Sequence, residues 1–296
     1  MDASTDRLLF IQFMHPGKEH RPDAGRTKYW NTGQHKRKFV KNAGRYLSDQ
    51  SARTDDDICF WCEWEPQSEV LKDFDNMEKG YPRFLYSPYW TPPISHGYIN
   101  GMSKKAYQNT DPFIFETPFK YALCQQQGKM KYLGRGSVIL FGSQVERRHF
   151  SLDTVFVVDR WFEYSNRTYA QDLKDVATEE YLSITMRPAW EKEKDLQRES
   201  FRLYFGASYE NPVEGMFSFF PCLPFEGEPR GFRRPIINIA DSVSGKPVID
   251  GAQNTGKRYT ELSKLETIKL LWDRVVKQVT EQSLYLGIAT DLPEKR

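Results

Sequence analysis

The sequence predicts an α+β or mixed α/β fold, with a central sheet, flanking helices and a long C-terminal helix. Three observations lead there. Apolar runs of strand length recur at residues 8–14, 137–143 and 154–159. Segments with helical spacing lie between and after them, at 34–47 and 169–186. Residues 260–282 place Leu262, Leu265, Ile268, Leu271, Trp272 and Val275 on a single face. Strands and helices are interspersed without strict alternation in the middle. A single domain over 1–296 is therefore expected, with a sub-boundary, if one exists, near 188–200.

In chain order, LLFIQFM at 8–14 reads as a buried strand, stopped by His15-Pro16-Gly17. Residues 34–47 read as a helix. At about 100° per residue, Phe39, Val40, Ala43, Tyr46 and Leu47 share one arc, and Arg37, Lys38, Lys41 and Arg45 the opposite one. Residues 58–64 read as a strand with Phe60, Cys62 and Trp64 on one face and Trp61 and Glu63 on the other. Residues 80–120, rich in proline and aromatics, read as an ordered loop layer. Two strands follow at 137–143 and 154–159, then a helix at 169–186, broken at Pro188. Late strands are expected at 201–205 and 216–220, and irregular surface structure at 226–257.

The chain has 296 residues, 28% charged, with a net charge of +2, so global charge does not announce a nucleic-acid partner. Local charge does. From Ala24 to Ser48 there are seven Lys or Arg residues and no Asp or Glu, and then come Asp55, Asp56, Asp57, Glu63 and Glu65. Met1 is followed by Asp2, Ser4 and Asp6 instead of a basic and then apolar run, and no apolar stretch approaches the roughly 20 residues of a bilayer span. A cytoplasmic protein without a membrane partner is expected. The four cysteines do not read as a disulfide framework, and Cys59-x-x-Cys62 on a strand points its thiols to opposite sides. No metal and no cofactor is expected.

A cation-only helix face beside a carboxylate-and-tryptophan strand suits a phosphate-bearing ligand. Arg37, Lys38, Lys41 and Arg45, helped by Lys28 and Lys36, would grip a phosphate backbone. Trp30 and Trp61 would stack on bases, and Asn31 would read a base edge. For each, a solvated helix face or a buried tryptophan is the plainer alternative. Glu63, Glu65 and Asp153 are candidate carboxylates for orienting water or stabilising a sugar cation, with His15 assisting. Strand-end exposure, or a turn cap at Asp153, is the competing reading. Gly142-Ser143 resembles a turn whose amides hold phosphate, yet GxGxxG and GxxxxGK[ST] loops are missing.

Taken together, the HPG…EH loop, WN…HKRKF, FWCEWEP, TDPFIFETPFKYALCQQ and VILFGS…FSLDTVFVV resemble a set of bacterial anti-phage proteins. Among these, the likeness is to a phage-defence DNA glycosylase family that excises glucosylated hydroxymethylcytosine. It spans roughly residues 8–160. The resemblance implies cleavage of a base–sugar bond in modified phage DNA, with the base flipped out of the stack and an abasic site left behind. It supplies no catalytic motif, so the candidate residues are those read above. The Gly-Gln-Asp-Pro-Tyr motif of uracil glycosylases is absent, and His15-Pro16 echoes their His-Pro loop at the wrong end of the chain. The alternative is a non-catalytic reader of a modified base, or a nucleotide sensor.

Overall fold

The computed structural model describes residues 6–15, 17–22, 36–48, 53–75, 78–91, 110–123, 128–144, 149–190, 200–240, 247–249 and 256–296. It corrects the predicted class. The protein is mainly β, with 46% strand and 17% helix, and is built from a mixed sheet and a small four-stranded barrel. The strands are β1 (Leu9–Met14), β2 (Lys38–Leu47), β3 (Arg53–Cys62), β4 (Ser68–Asp73), β5 (Phe84–Trp90), β6 (Lys120–Tyr121), β7 (Val138–Gln144) and β8 (Phe150–Ser165). They continue with β9 (Ser200–Gly206), β10 (Phe220–Pro224), β11 (Ile236–Ile237), β12 (Ile239–Ala240), β13 (Pro247–Ile249), β14 (Gly256–Glu261), β15 (Tyr285–Thr290) and β16 (Glu294–Lys295).

The mixed sheet runs β14-β1-β7-β8-β9-β6, with β11 added on β8. Strands β1 and β7 are parallel, so their C-terminal ends lie together. Along β1, Leu9, Ile11 and Phe13 enter one core, and Phe10 and Met14 the other. Burial on both faces is why this strand reads as an unbroken apolar run. The C-terminal helix Leu265–Glu281 covers the second core with Ile268, Leu271, Trp272, Val275, Val276 and Val279. Strand β8 is 16 residues long and passes from β7 to β9 through a register shift between Val158 and Arg160.

The barrel is β15-β10-β3-β2, closed by antiparallel pairing of β15 with β2. Its strand β2 is the segment where a cationic helix was expected. Spacings of three and four among Phe39, Val40, Ala43, Tyr46 and Leu47 fit a helix, but the pairs Phe39-Val40 and Tyr46-Leu47 also fit a long strand buried at both ends, which is what forms, with Ala43 exposed in its middle. Residues Lys38 to Leu47 pair in unbroken register with Cys62 back to Arg53. The charge polarity of the sequence becomes cross-strand pairing: Arg45 lies opposite Asp55, and Lys41 bonds Asp57 at 2.8 Å. Gly44 sits at the closure, where a Cβ would lie 2.6 Å from Ile58 and 2.7 Å from the Ala289 carbonyl.

Other segments also depart from expectation. Residues 169–186 hold a short turn of helix, Tyr169–Asp172, and a second helical run from Glu179 with a π turn at Leu182–Met186. Pro188 lies inside the run's last turn, Arg187–Trp190, instead of breaking it. The expected irregular stretch at 226–257 carries the short strands β11 to β13 and the start of β14. Among the described residues, no helix is long and apolar enough to cross a membrane.

Candidate active site

Six side chains meet where the mixed sheet joins the barrel. His15 directly follows β1, Ser143 lies on β7 and Asp153 on β8; Arg37 directly precedes β2, Glu63 follows β3, and Arg234 precedes β11 by one residue. The parallel β1–β7 pair places His15 beside β7, where its backbone N–H donates to the Gly142 carbonyl at 2.7 Å. A short parallel bridge links the loop after β1 to the start of β2: Arg37 N–H donates to Lys18 O at 2.9 Å, and His20 N–H to Arg37 O at 2.8 Å. The site thus sits at the carboxyl ends of parallel strands, a common seat of ligand chemistry in open α/β sheets.

Arg37 is the hub. Its Nε donates to Asp153 Oδ2 at 2.5 Å and its Nη1 to Glu63 Oε2 at 2.7 Å. His15 Nδ1 lies 3.1 Å from the same Glu63 oxygen. Arg234 Nη1 donates to the other Asp153 oxygen at 3.1 Å and to Ser143 Oγ at 2.6 Å, and its Nη2 to Gly17 O at 2.8 Å. The Arg234 guanidinium also lies over the Trp61 ring, 5.4 Å from its centroid. Glu63, Asp153 and Arg37 are each no more than 5% exposed. Two guanidiniums against two carboxylates leave the cluster nearly charge-balanced, the condition under which charges are buried. Burial opposes the charge on Arg37, yet Asp153 and Glu63 more than offset it and raise its pKa above the ordinary range. Arg234 shifts the other way, because burial and the neighbouring Arg37 outweigh Asp153.

The structure therefore brings together three candidate carboxylate and imidazole groups, His15, Glu63 and Asp153. Glu65 goes elsewhere. Strand β3 ends at Cys62, and beyond it the Glu65 charge acts on Lys38. Lys38 itself is buried; its Nζ donates to Pro66 O at 2.9 Å and Ser68 Oγ at 2.6 Å, and burial drives its pKa well below the usual amine range despite Cys62 and Glu65. His20 is held near it, its pKa pushed down to about 2 by burial and by Lys38 and Lys36. Trp61 is a core residue whose Nε1 donates to Phe232 O at 2.8 Å.

Arg37 and Lys38 thus face inward and Lys41 and Arg45 are paired with acids, so no cationic helix stripe exists on this segment. Lys36 is half-buried. Lys28, Trp30 and Asn31 lie outside the described residues. Cys59 and Cys62 face different cores, and no described group of three or more His, Cys, Asp or Glu is arranged to hold a metal. Gly142 and Ser143 lie within β7, where a Cβ on Gly142 would lie 2.2 Å from the Ser151 carbonyl.

Sequence reasoning missed Arg234, which sits in a stretch rich in Gly and Pro that reads as surface. A weak signal exists in the Arg233-Arg234 pair, one proline before the apolar Ile236-Ile237. An open cleft of about 600 Å³ lies at the far end of β2, lined by Arg45, Phe115, Lys120, Arg160, Phe205 and Thr290 among others. It shares no residue with the buried cluster, where His15, Glu63 and Asp153 converge on Arg37. No protein-family model matches the chain, and searches of curated proteins and of solved structures give no match either.

Proposed function

We propose that this protein is a DNA glycosylase that excises a hypermodified base, such as glucosylated hydroxymethylcytosine, from phage DNA. The observation that carries the reading is the His15–Glu63 contact of 3.1 Å, with Arg37 on the same carboxylate oxygen. Cleaving a base–sugar bond develops positive charge on the sugar and requires a water to attack the anomeric carbon. A carboxylate fixed by a guanidinium stabilises the cation, and a carboxylate–imidazole pair takes the water's proton. In this reading Glu63 is the reacting carboxylate with His15 as its proton partner. Asp153, both of whose oxygens are engaged by arginines, holds Arg37 in place.

The test is to incubate the protein with DNA carrying glucosylated hydroxymethylcytosine and with unmodified DNA, and then treat both with alkali. Strand scission confined to the modified DNA supports the reading; no scission on either sinks it.

The depth of the cluster favours a second reading. Glu63 and Asp153 side chains are only 2% and 4% exposed, as in a brace that locks the barrel to the sheet. The protein would then be a non-catalytic reader of a modified base. This reading predicts selective binding without an abasic product.

A further inference from the structure

The sequence-predicted phosphate grip fails at Arg37 and Lys38, which are buried, and at Lys41 and Arg45, which are neutralised by Asp57 and Glu210. Three other cations lie beside the candidate site. Glu19 and Arg37 are partners in the parallel bridge that joins the post-β1 loop to β2. One residue back on each segment, Lys18 and Lys36 are neighbours across that bridge, on the face opposite to Arg37. Lys36 is close enough to His20 to depress its protonation. Arg21 follows His20 and, like Lys18, is exposed.

None of the three makes an ion pair with a described carboxylate. Glu19, between Lys18 and His20, has its Oε1 taken by the backbone N–H groups of Arg83 and Phe84, at 2.7 and 3.0 Å, and feels the charge of Arg21 without a direct ion pair. Two lysines side by side across a bridge repel each other, and this arrangement is relieved by a bound anion. The contrast with the surroundings is sharp, because Lys72, Arg83 and Arg233 nearby are each matched to an acid.

We propose that Lys18, Arg21 and Lys36 are the edge that grips the phosphate backbone of a nucleic-acid strand, next to the His15–Glu63–Arg37 cluster. The proposal rests on the nucleic-acid reading above and replaces the cationic helix as the docking element. The loop that carries Lys18 and Arg21 begins at His15, and Lys36 is the residue before Arg37. A strand held here is therefore tethered through the same short bridge that places the reacting groups.

The test measures binding of a fluorescently labelled duplex carrying glucosylated hydroxymethylcytosine across a salt series. The proteins are wild type, the triple variant Lys18→Glu/Arg21→Glu/Lys36→Glu, and the control Lys41→Glu/Arg45→Glu. A milder triple variant, with glutamine at the three positions, guards against misfolding. Each lost phosphate contact removes about 0.9 from the slope of log affinity against log salt. Both triple variants are expected to bind at least about tenfold more weakly, with a slope reduced by roughly 2–3. The control is expected to keep the wild-type slope. An unchanged slope in the triple variants, or a larger loss in the control, overturns the proposal. Wild type that binds no DNA overturns it together with the glycosylase reading. Wild type that binds with the expected slopes but releases no base sinks only the glycosylase reading.

Discussion

The two ends of β2 carry arginines in opposite circumstances. Arg37, before its first residue, is buried and bonded to two carboxylates that are themselves buried. Arg45, near its last, lines an open cleft and reaches Glu210 at 3.5 Å and Thr117 at 3.4 Å. The sequence shows two similar basic residues eight positions apart. What separates them is who faces them: carboxylates brought from β3 and β8 at one end, and solvent with a loose acid at the other. A charge out of water has to be matched to the atom, whereas a charge in water tolerates long contacts.

The largest expected effect follows from removing the matched charge. Arg37→Ala leaves Asp153 and Glu63 buried without their shared partner and is expected to destabilise the fold by about 3–5 kcal/mol in chemical denaturation. A loss under about 1 kcal/mol would mean that water already reaches the carboxylates. Next comes the backbone that closes the cluster. A Cβ on Gly17 would lie 2.2 Å from Ser143 Oγ, the atom that accepts from Arg234. Gly17→Ala is expected to cost about 1–3 kcal/mol by overpacking. A neutral result would show that the loop after β1 shifts freely.

How far the sequence foretold this contrast depends on the segment. Strands β1 and β7 and the C-terminal helix were legible because burial on both faces gives an apolar run, and burial on one helix face gives a 3.6 period. In β2 the two signals overlap: Phe39-Val40 and Tyr46-Leu47 satisfy either spacing, and Gly44 is unfavourable in a helix and in a strand alike. Glu63, Asp153 and His15 were visible as polar residues at the ends of apolar segments. Their meeting was not visible, because it depends on the barrel packing against the sheet. Arg234 was hidden, since a buried guanidinium and a solvated one have the same letter.

A smaller effect concerns His20, whose pKa sits near 2 in the fold against an ordinary 6.5. Below pH 6.5 the unfolded chain takes up a proton that the folded one refuses, so stability is full above that pH and lost as pH falls. The loss is at most about 1.4 kcal/mol per pH unit. Comparing denaturation of wild type and His20→Gln between pH 7 and 5 isolates it; equal slopes would show that His20 protonates in place. The smallest effect is at the other end of β2. Arg45→Ala is expected to change stability by about 0–1 kcal/mol, and a loss comparable to Arg37→Ala would erase the distinction between the two ends.

The most direct test of the central claim is the rate of base release by wild type and Glu63→Gln on DNA carrying glucosylated hydroxymethylcytosine, scored by alkali-sensitive breaks. Glutamine preserves shape and removes the charge that faces Arg37 and His15. Wild type is expected to release the base, and Glu63→Gln, once shown to be folded, to be slowed about 100-fold or more. Release by the variant at the wild-type rate, or none by wild type, would contradict the assignment of chemistry to this cluster.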